Sequence, residues 1–191
     1  MEQNKVNEWS KMDNWGYQIL IGTIMGGSSL IKPAKGNNYF LSMRSTNELW
    51  LKWKILQLES FFIKKNVFKD KNTYRVTSNC SSFLTEIRTE FYSNNRRIVS
   101  SSILDNLQDI GLAVWFLEDG GRIGRNKKNA YLNCKKYGKL AKLIENYFNS
   151  MSICCKLSSN RIVFSVKGTQ KLFKIIAHRF PDFMHYKLES L

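Results

Sequence analysis

Apolar and polar positions in the first half of the chain follow patterns that predict helices and antiparallel strand pairs. Residues 14–26 are mostly apolar and end in glycine, which is typical of a buried helix. Residues 46–63 have the spacing of an amphipathic helix, with Thr46 or Asn47 as a suitable N-cap. The rest predicts strands within 29–45 around a Gly-Asn-Asn turn, strands within 67–78 around an Asp-Lys-Asn turn, and a helix over 81–92.

The second half repeats this order of patterns. Residues 102–118 predict one helix, which the adjacent Gly120 and Gly121 end. After it come a hairpin within 121–134, a helix over 137–151, a hairpin within 152–167 and a helix over 169–178. An αββαββα order that occurs twice predicts an α+β fold of two pseudo-symmetric halves with antiparallel sheets. We place the two repeats at 14–97 and 98–188.

The charge of the chain indicates which class of partner it binds. The 191 residues carry a formal net charge of +15. So many positive charges repel one another in a compact chain, so a polyanion is the expected partner. Nucleic acid is favoured because basic residues that bind its phosphates release counterions. An anionic membrane surface is the main alternative. No terminal helix with one basic and one apolar face is found, which argues against a membrane surface. The longest apolar stretch, near 17–25, is also far shorter than the roughly 20 residues of a spanning helix, so no membrane partner is expected.

Many basic residues fall on or beside the predicted strands. Because strand residues of one parity share a face, two sheets could form a long basic saddle that enters the DNA grooves. The candidate DNA-binding residues are Lys32, Lys35, Arg44, Lys69, Lys71 and Arg75 in the first half, and Arg122, Arg125, Lys127, Lys128, Lys156, Arg161 and Lys167 in the second.

Cysteine usage and composition bear on the compartment. The four cysteines lack CxxC spacing, which favours free thiols in a reducing environment over a zinc site. Abundant Lys, Asn, Ile and Ser indicate an AT-rich source such as an organelle or a phage. We expect an intracellular protein, of a mitochondrion or plastid or of a phage or bacterial cytoplasm.

Two segments carry a resemblance to a known family. "LIGTIMGGS" (20–28) and "LAVWFLEDG" (112–120) each open an αββαββα repeat in a very basic chain. Both resemble the nine-residue motif of the LAGLIDADG homing endonucleases, in their monomeric two-repeat form. Support comes from "NNRRIVSSSILDNLQDIGLAVWF" (94–116) and "FPDFMHYKL" (180–188), which are similar to blocks at corresponding places in that family. The resemblance covers about residues 17–188.

The resemblance implies a fold, a chemistry and a set of site residues. The motif helices would pack side by side, and the acid before the final glycine of each motif would hold a divalent ion, such as Mg²⁺, at the scissile phosphates. In this chain that acid is Asp119, the metal ligand and catalytic residue of the second half. Arg97 and Lys187 would flank the active centre and stabilise the transition state. Glu118, about 100° around the helix, would be a neighbour of the site.

The first motif departs from the family. Gly27 occupies the position of its acid, and no carboxylate lies between Asp13 and Glu48. Three interpretations stay open: a DNA endonuclease with weakened, single-strand or metal-rescued cleavage, a maturase that binds intron RNA, and a decayed element that binds DNA without activity. All three imply binding to nucleic acid.

Overall fold

A computed structural model of the protein describes residues 13–124 and 126–188. Among the described residues, the first half contains three α-helices and four strands in the predicted order. In chain order they are α1 (Asn14–Gly26), β1 (Ser29–Ile31), β2 (Phe40–Ser45), α2 (Glu48–Gln57), β3 (Phe68–Asp70), β4 (Thr73–Thr77) and α3 (Ser82–Phe91).

A short connection leads into the second half, which has the same arrangement. The connection consists of β5 (Tyr92–Ser93), β6 (Arg96–Arg97) and α4 (Ser101–Asp105). The second half then consists of α5 (Asp109–Asp119), β7 (Gly120–Ile123), β8 (Asn129–Asn133), α6 (Ala141–Ser150), β9 (Cys155–Ser158), β10 (Arg161–Phe164) and α7 (Val166–Ile176). The described residues also form four short 3-10 segments, which are Glu59–Phe61 after α2, Lys135–Leu140 before α6, Ala177–Arg179 after α7 and Asp182–Lys187 near the end of the described chain.

Each half builds one four-stranded antiparallel sheet, and the two sheets have the same topology. Their orders are β1-β2-β4-β3 and β7-β8-β10-β9. This repeated order confirms the predicted α+β class with two αββαββα halves.

Alternation along the strands gives each sheet a covered face and an open face. Leu41 and Met43 on β2 are fully buried, whereas Arg44 is exposed. On β10, Ile162 is fully buried and Arg161 is exposed. We call the faces that carry Arg44 and Arg161 the open faces, since the helices pack on the opposite side. None of the described helices combines the length and apolar character needed to cross a membrane.

Polar side chains set the helix ends. Asn47 caps α2 by accepting a hydrogen bond from the Trp50 amide at 3.2 Å, which confirms one of the two predicted caps. Ser165 caps α7 in the same way by accepting from the Gly168 amide, so this helix begins at Val166 rather than at 169.

The prediction of one helix over 102–118 is wrong, because α4 and α5 are separate helices. The Gln18 amide, from α1, donates to the Asn106 carbonyl at 2.9 Å and accepts from the Gln108 amide at 2.8 Å. These two bonds satisfy backbone groups that a continuous helix would have paired internally. A residue about 90 positions away in the chain therefore fixes where α5 begins.

Candidate active site and basic faces

The motif helices α1 and α5 pack against each other through glycine. A Cβ on Gly22 would lie less than 3.0 Å from the Gly111 carbonyl oxygen and 2.9 Å from Val114 Cβ. A Cβ on Gly111 would lie 2.7 Å from the Gln18 amide oxygen. Only residues without a Cβ permit this approach. The C-terminal ends of α1 and α5, with Gly27 and Asp119, consequently lie side by side at one cleft of about 620 Å³.

Asp119 is the last residue of α5, and its carboxylate lies mostly buried in this cleft. Burial raises its pKa from the usual 3.8 to about 6, although the adjacent Lys136 ammonium opposes the shift. Lys136 Nζ lies 2.5 Å from Asp119 Oδ2. A helix C-terminus disfavours a negative charge, and Lys136 is the cation that compensates Asp119 here.

Lys136 and Tyr137 also bind the end of α1, a role that the sequence patterns did not indicate. Lys136 Nζ donates to the Gly26 carbonyl, and the Tyr137 hydroxyl donates to the Met25 carbonyl at 3.0 Å. Both residues lie in the segment Lys135–Leu140, shortly after β8, and Gly120, the residue after Asp119, pairs with Leu132 of β8. The pairing of Gly120 with Leu132 brings the segment after β8 close to Asp119. A prediction of this strand register would therefore have placed Lys136 and Tyr137 at the site.

Arg97 and Lys187 each bind the carbonyl of the last residue of one motif. Arg97 donates to the Ile24 carbonyl and, at 2.5 Å, to the Ser28 carbonyl. Lys187 donates to the Leu117 carbonyl at 2.8 Å and to the Gly120 carbonyl at 3.0 Å. Ser28 and Gly120 occupy the same position of the two motifs, so the two cations are related by the pseudo-symmetry of the fold. Burial lowers the pKa of Lys187.

The Glu118 carboxylate binds side chains of α2, in the first half. It accepts a hydrogen bond from Trp50 Nε1 at 2.9 Å and forms an ion pair with Lys54. The Lys54 side chain is fully buried and that of Glu118 is 9% exposed. Gly26 leaves the space that the stem of Glu118 fills.

Gly27 leaves open space where the first motif would place its acid. Its φ of −172° is extended, and a Cβ there would meet only Glu118 Oε2, at 3.6 Å. Within residues 13–124 and 126–188, no three His, Cys, Asp or Glu side chains come together as metal ligands. Asp119 is already paired with Lys136, so the residues present do not make a complete site for a divalent ion such as Mg²⁺.

Four of the candidate DNA-binding residues lie on the open faces. Arg44 and Arg75 are cross-strand partners on the first sheet, and Lys156 and Arg161 lie on the second. Arg44 also pairs with Asp70 at 2.8 Å, and Arg161 stacks over the Tyr131 ring.

The other candidates lie elsewhere. Arg122 shares its face with the buried Ala130 and stacks on Phe173 of α7, on the covered side. Lys69 pairs with Tyr74, on the face opposite to that of Arg75. The exposed residues in loops or in the first turn of α7 are Lys32, Lys35, Lys71, Lys127, Lys128 and Lys167, whereas Arg125 lies outside the described residues.

Comparison with known proteins confirms the resemblance. The LAGLIDADG DNA endonuclease family matches the chain over residues 17–175. A similar protein is the "Probable intron-encoded endonuclease 1" of Wickerhamomyces canadensis, 22% identical over 201 residues, which cover 95% of this chain and 87% of that protein.

Two solved structures share the fold. The homing endonuclease I-WcaI bound to its DNA recognition sequence matches with a TM-score of 0.83 and 19% identity, over 100% of this chain and 95% of that one. I-DmoI in complex with DNA and Ca matches with a TM-score of 0.61 and 14% identity, over 90% and 95% of the two chains.

Proposed function

Because the chain belongs to the LAGLIDADG DNA endonuclease family, we propose that it binds a long, specific double-stranded DNA site as a monomer and cleaves it poorly or on one strand alone. The observation that carries this proposal is the unequal pair of motif ends. The next-to-last residue of the second motif is Asp119, which has a carboxylate, whereas the next-to-last residue of the first motif is Gly27, which has no side chain.

Charge and the two sheets support DNA as the partner. The net charge of +15 favours a polyanion, and the arginines on the open faces can donate to phosphates and to guanine edges. I-WcaI, which shares the fold, was solved on its DNA recognition sequence.

The donor set supports impaired cleavage. A bound Mg²⁺ would supply a Lewis acid for phosphodiester hydrolysis. Among the described residues of the cleft, Asp119 alone would offer it a carboxylate, and Lys136 competes for that group. Hydrogen bonds to the Ser28 and Gly120 carbonyls position Arg97 and Lys187 to bind a phosphate next to the motif ends.

DNA affinity is expected to fall about a thousandfold when KCl is raised from 50 to 200 mM, since a protein that neutralises several phosphates releases as many counterions. The measurement is a binding titration with a duplex selected from random DNA. Arg75→Gln and Arg161→Gln should each lower the salt slope by about 0.9. Lys52→Gln, at an exposed position of α2, is the matched control and should leave the slope unchanged. A salt-independent affinity would contradict the proposal.

Wild-type protein with Mg²⁺ is expected to produce little or no linear product from a supercoiled plasmid that carries the selected site. Any nicked circles should decrease on the order of 100-fold with Asp119→Asn, the size of effect expected when a group that stabilises developing charge is removed. The readout is the time course of nicked and linear forms on a gel. Complete conversion to linear product by wild type, which Asp119→Asn abolishes, would show that both strands are cut efficiently, and impaired cleavage would be wrong.

A second candidate, a splicing maturase for a group I intron, is favoured by α7. Lys167, Lys171 and Lys174 recur at helical spacing on its exposed side, and the helix contains no acid. This stripe suits a phosphate backbone, and RNA binding does not need the missing acid at Gly27. In this case faster intron splicing would survive Asp119→Asn and decrease when the three lysines become glutamine.

A further inference from the structure

We propose that Lys136 is a tethered cation that takes the place of a divalent ion between the ends of α1 and α5, so that this cleft binds a DNA phosphate without a metal. The inference rests on the proposed DNA binding and adds to it. It assigns the cleft an anion as its ligand and identifies a barrier to cleavage besides Gly27.

Lys136 links the two motif ends directly. Its ammonium lies 2.5 Å from Asp119 Oδ2, at the end of α5, and donates to the Gly26 carbonyl, at the end of α1. The side chain is 24% exposed, so most of it is packed inside the protein. A carboxylate and a helix-end carbonyl are the oxygen ligands that a hard divalent cation would use. Lys136 already binds both of these oxygen ligands, on Asp119 and on Gly26.

The neighbouring oxygen atoms are also engaged. Arg97 holds the Ser28 carbonyl and Lys187 holds the Gly120 carbonyl, while Tyr137 holds the Met25 carbonyl. Each helix end thus has its partial negative charge balanced by a protein donor. Glu118, the acid next to Asp119 in the chain, forms an ion pair with Lys54.

The charge balance of the cleft favours an anion. Arg97, Lys135 and Lys136 line it together with a single acid, Asp119. A divalent cation would add to an existing positive excess, whereas a phosphate group would reduce it. Gly27 has no side chain to fill the mouth, and the cleft of about 620 Å³ is large enough for a phosphate.

The test measures Mn²⁺ binding to the free protein by the loss of the EPR signal of hydrated Mn²⁺. Wild type and Gly27→Asp are both expected to bind weakly. Gly27→Asp combined with Lys136→Met should bind at least about tenfold more tightly, because the competing cation is gone. Adding Asp119→Asn to that pair should remove the gain, which would place the ion at Asp119.

Lys135→Met is the matched control. It removes the same charge from the same cleft, and Lys135 is exposed and makes no described ion pair with Asp119. In the Gly27→Asp background it should leave Mn²⁺ affinity unchanged within about threefold, a fraction of the effect expected at Lys136. Lys136→Gln serves in the same way as Lys136→Met if the latter unfolds by circular dichroism.

DNA titrations on the same variants separate this inference from the proposed function. Wild type should bind the selected duplex equally well in EDTA and in Mn²⁺, and Lys136→Met should bind more weakly in EDTA. Wild-type DNA binding that requires Mn²⁺, or an equal gain in Mn²⁺ affinity with Lys135→Met, would overturn the tethered cation. Absence of salt-dependent DNA binding in wild type would instead overturn the proposed function.

Discussion

Replacing Lys54 with methionine is expected to lower the free energy of unfolding by about 3 to 5 kcal/mol, the usual cost of leaving one partner of a buried ion pair alone. Lys54 is fully buried, and its ammonium pairs with Glu118, which is 9% exposed. Methionine preserves the packing of the lysine stem but not its charge. The Glu118 carboxylate would then retain the Trp50 indole as its described hydrogen-bond donor.

The measurement is urea unfolding at pH 7, followed by tryptophan fluorescence and circular dichroism. Lys52→Met is the matched control on the same helix, because its pair with Glu48 is exposed and should contribute only about 0.3 to 0.5 kcal/mol. Lys54→Met combined with Glu118→Gln should recover most of the loss, since removing both charges avoids an unpaired one. Equal losses for Lys54→Met and Lys52→Met would contradict the prediction.

Gly22→Ala is expected to destabilise the protein by at least about 3 kcal/mol, at the upper end of the cost of overpacking a core. Its methyl group would lie less than 3.0 Å from the Gly111 carbonyl, which is backbone of the neighbouring helix. No side-chain rotation can relieve such a contact, so α1 and α5 must separate. Separation would also displace Gly27 and Asp119 relative to each other, and we expect weaker DNA binding as a second readout.

Gly27→Ala is the control for this substitution, a few residues further along the same segment. Its Cβ would have ordinary contact with Glu118 Oε2 at 3.6 Å, and its extended φ of −172° suits alanine. The expected change is within about 0.5 kcal/mol, as for substitutions away from packing constraints. A loss at Gly22 no larger than that at Gly27 would show that the helices can adjust to a methyl group between them.

Local patterns predicted most of the elements because helices and strands follow short repeats. Side chains alternate between the two faces of a strand. This alternation places Leu41 of β2 and Ile162 of β10 on the covered faces, and Arg44 and Arg161 on the open faces. Capping is equally local, as Asn47 illustrates. The break between α4 and α5 was not predictable in this way, because the Gln18 side chain that occupies it comes from another part of the chain.

The order of the elements, the α+β class and the inequality of Asp119 and Gly27 could be predicted from the sequence, because they depend on residue type and on spacing over a few positions. The surroundings of Asp119 could not, because they depend on residues that are distant in the chain. Lys136 and Lys187 follow Asp119 by 17 and 68 positions, and the Lys54 that holds its neighbour Glu118 precedes that residue by 64. Such contacts arise from the packing of α1 against α5 and of each sheet behind them. No local repeat encodes that packing, so the charge that balances the lone acid is visible only in the folded molecule.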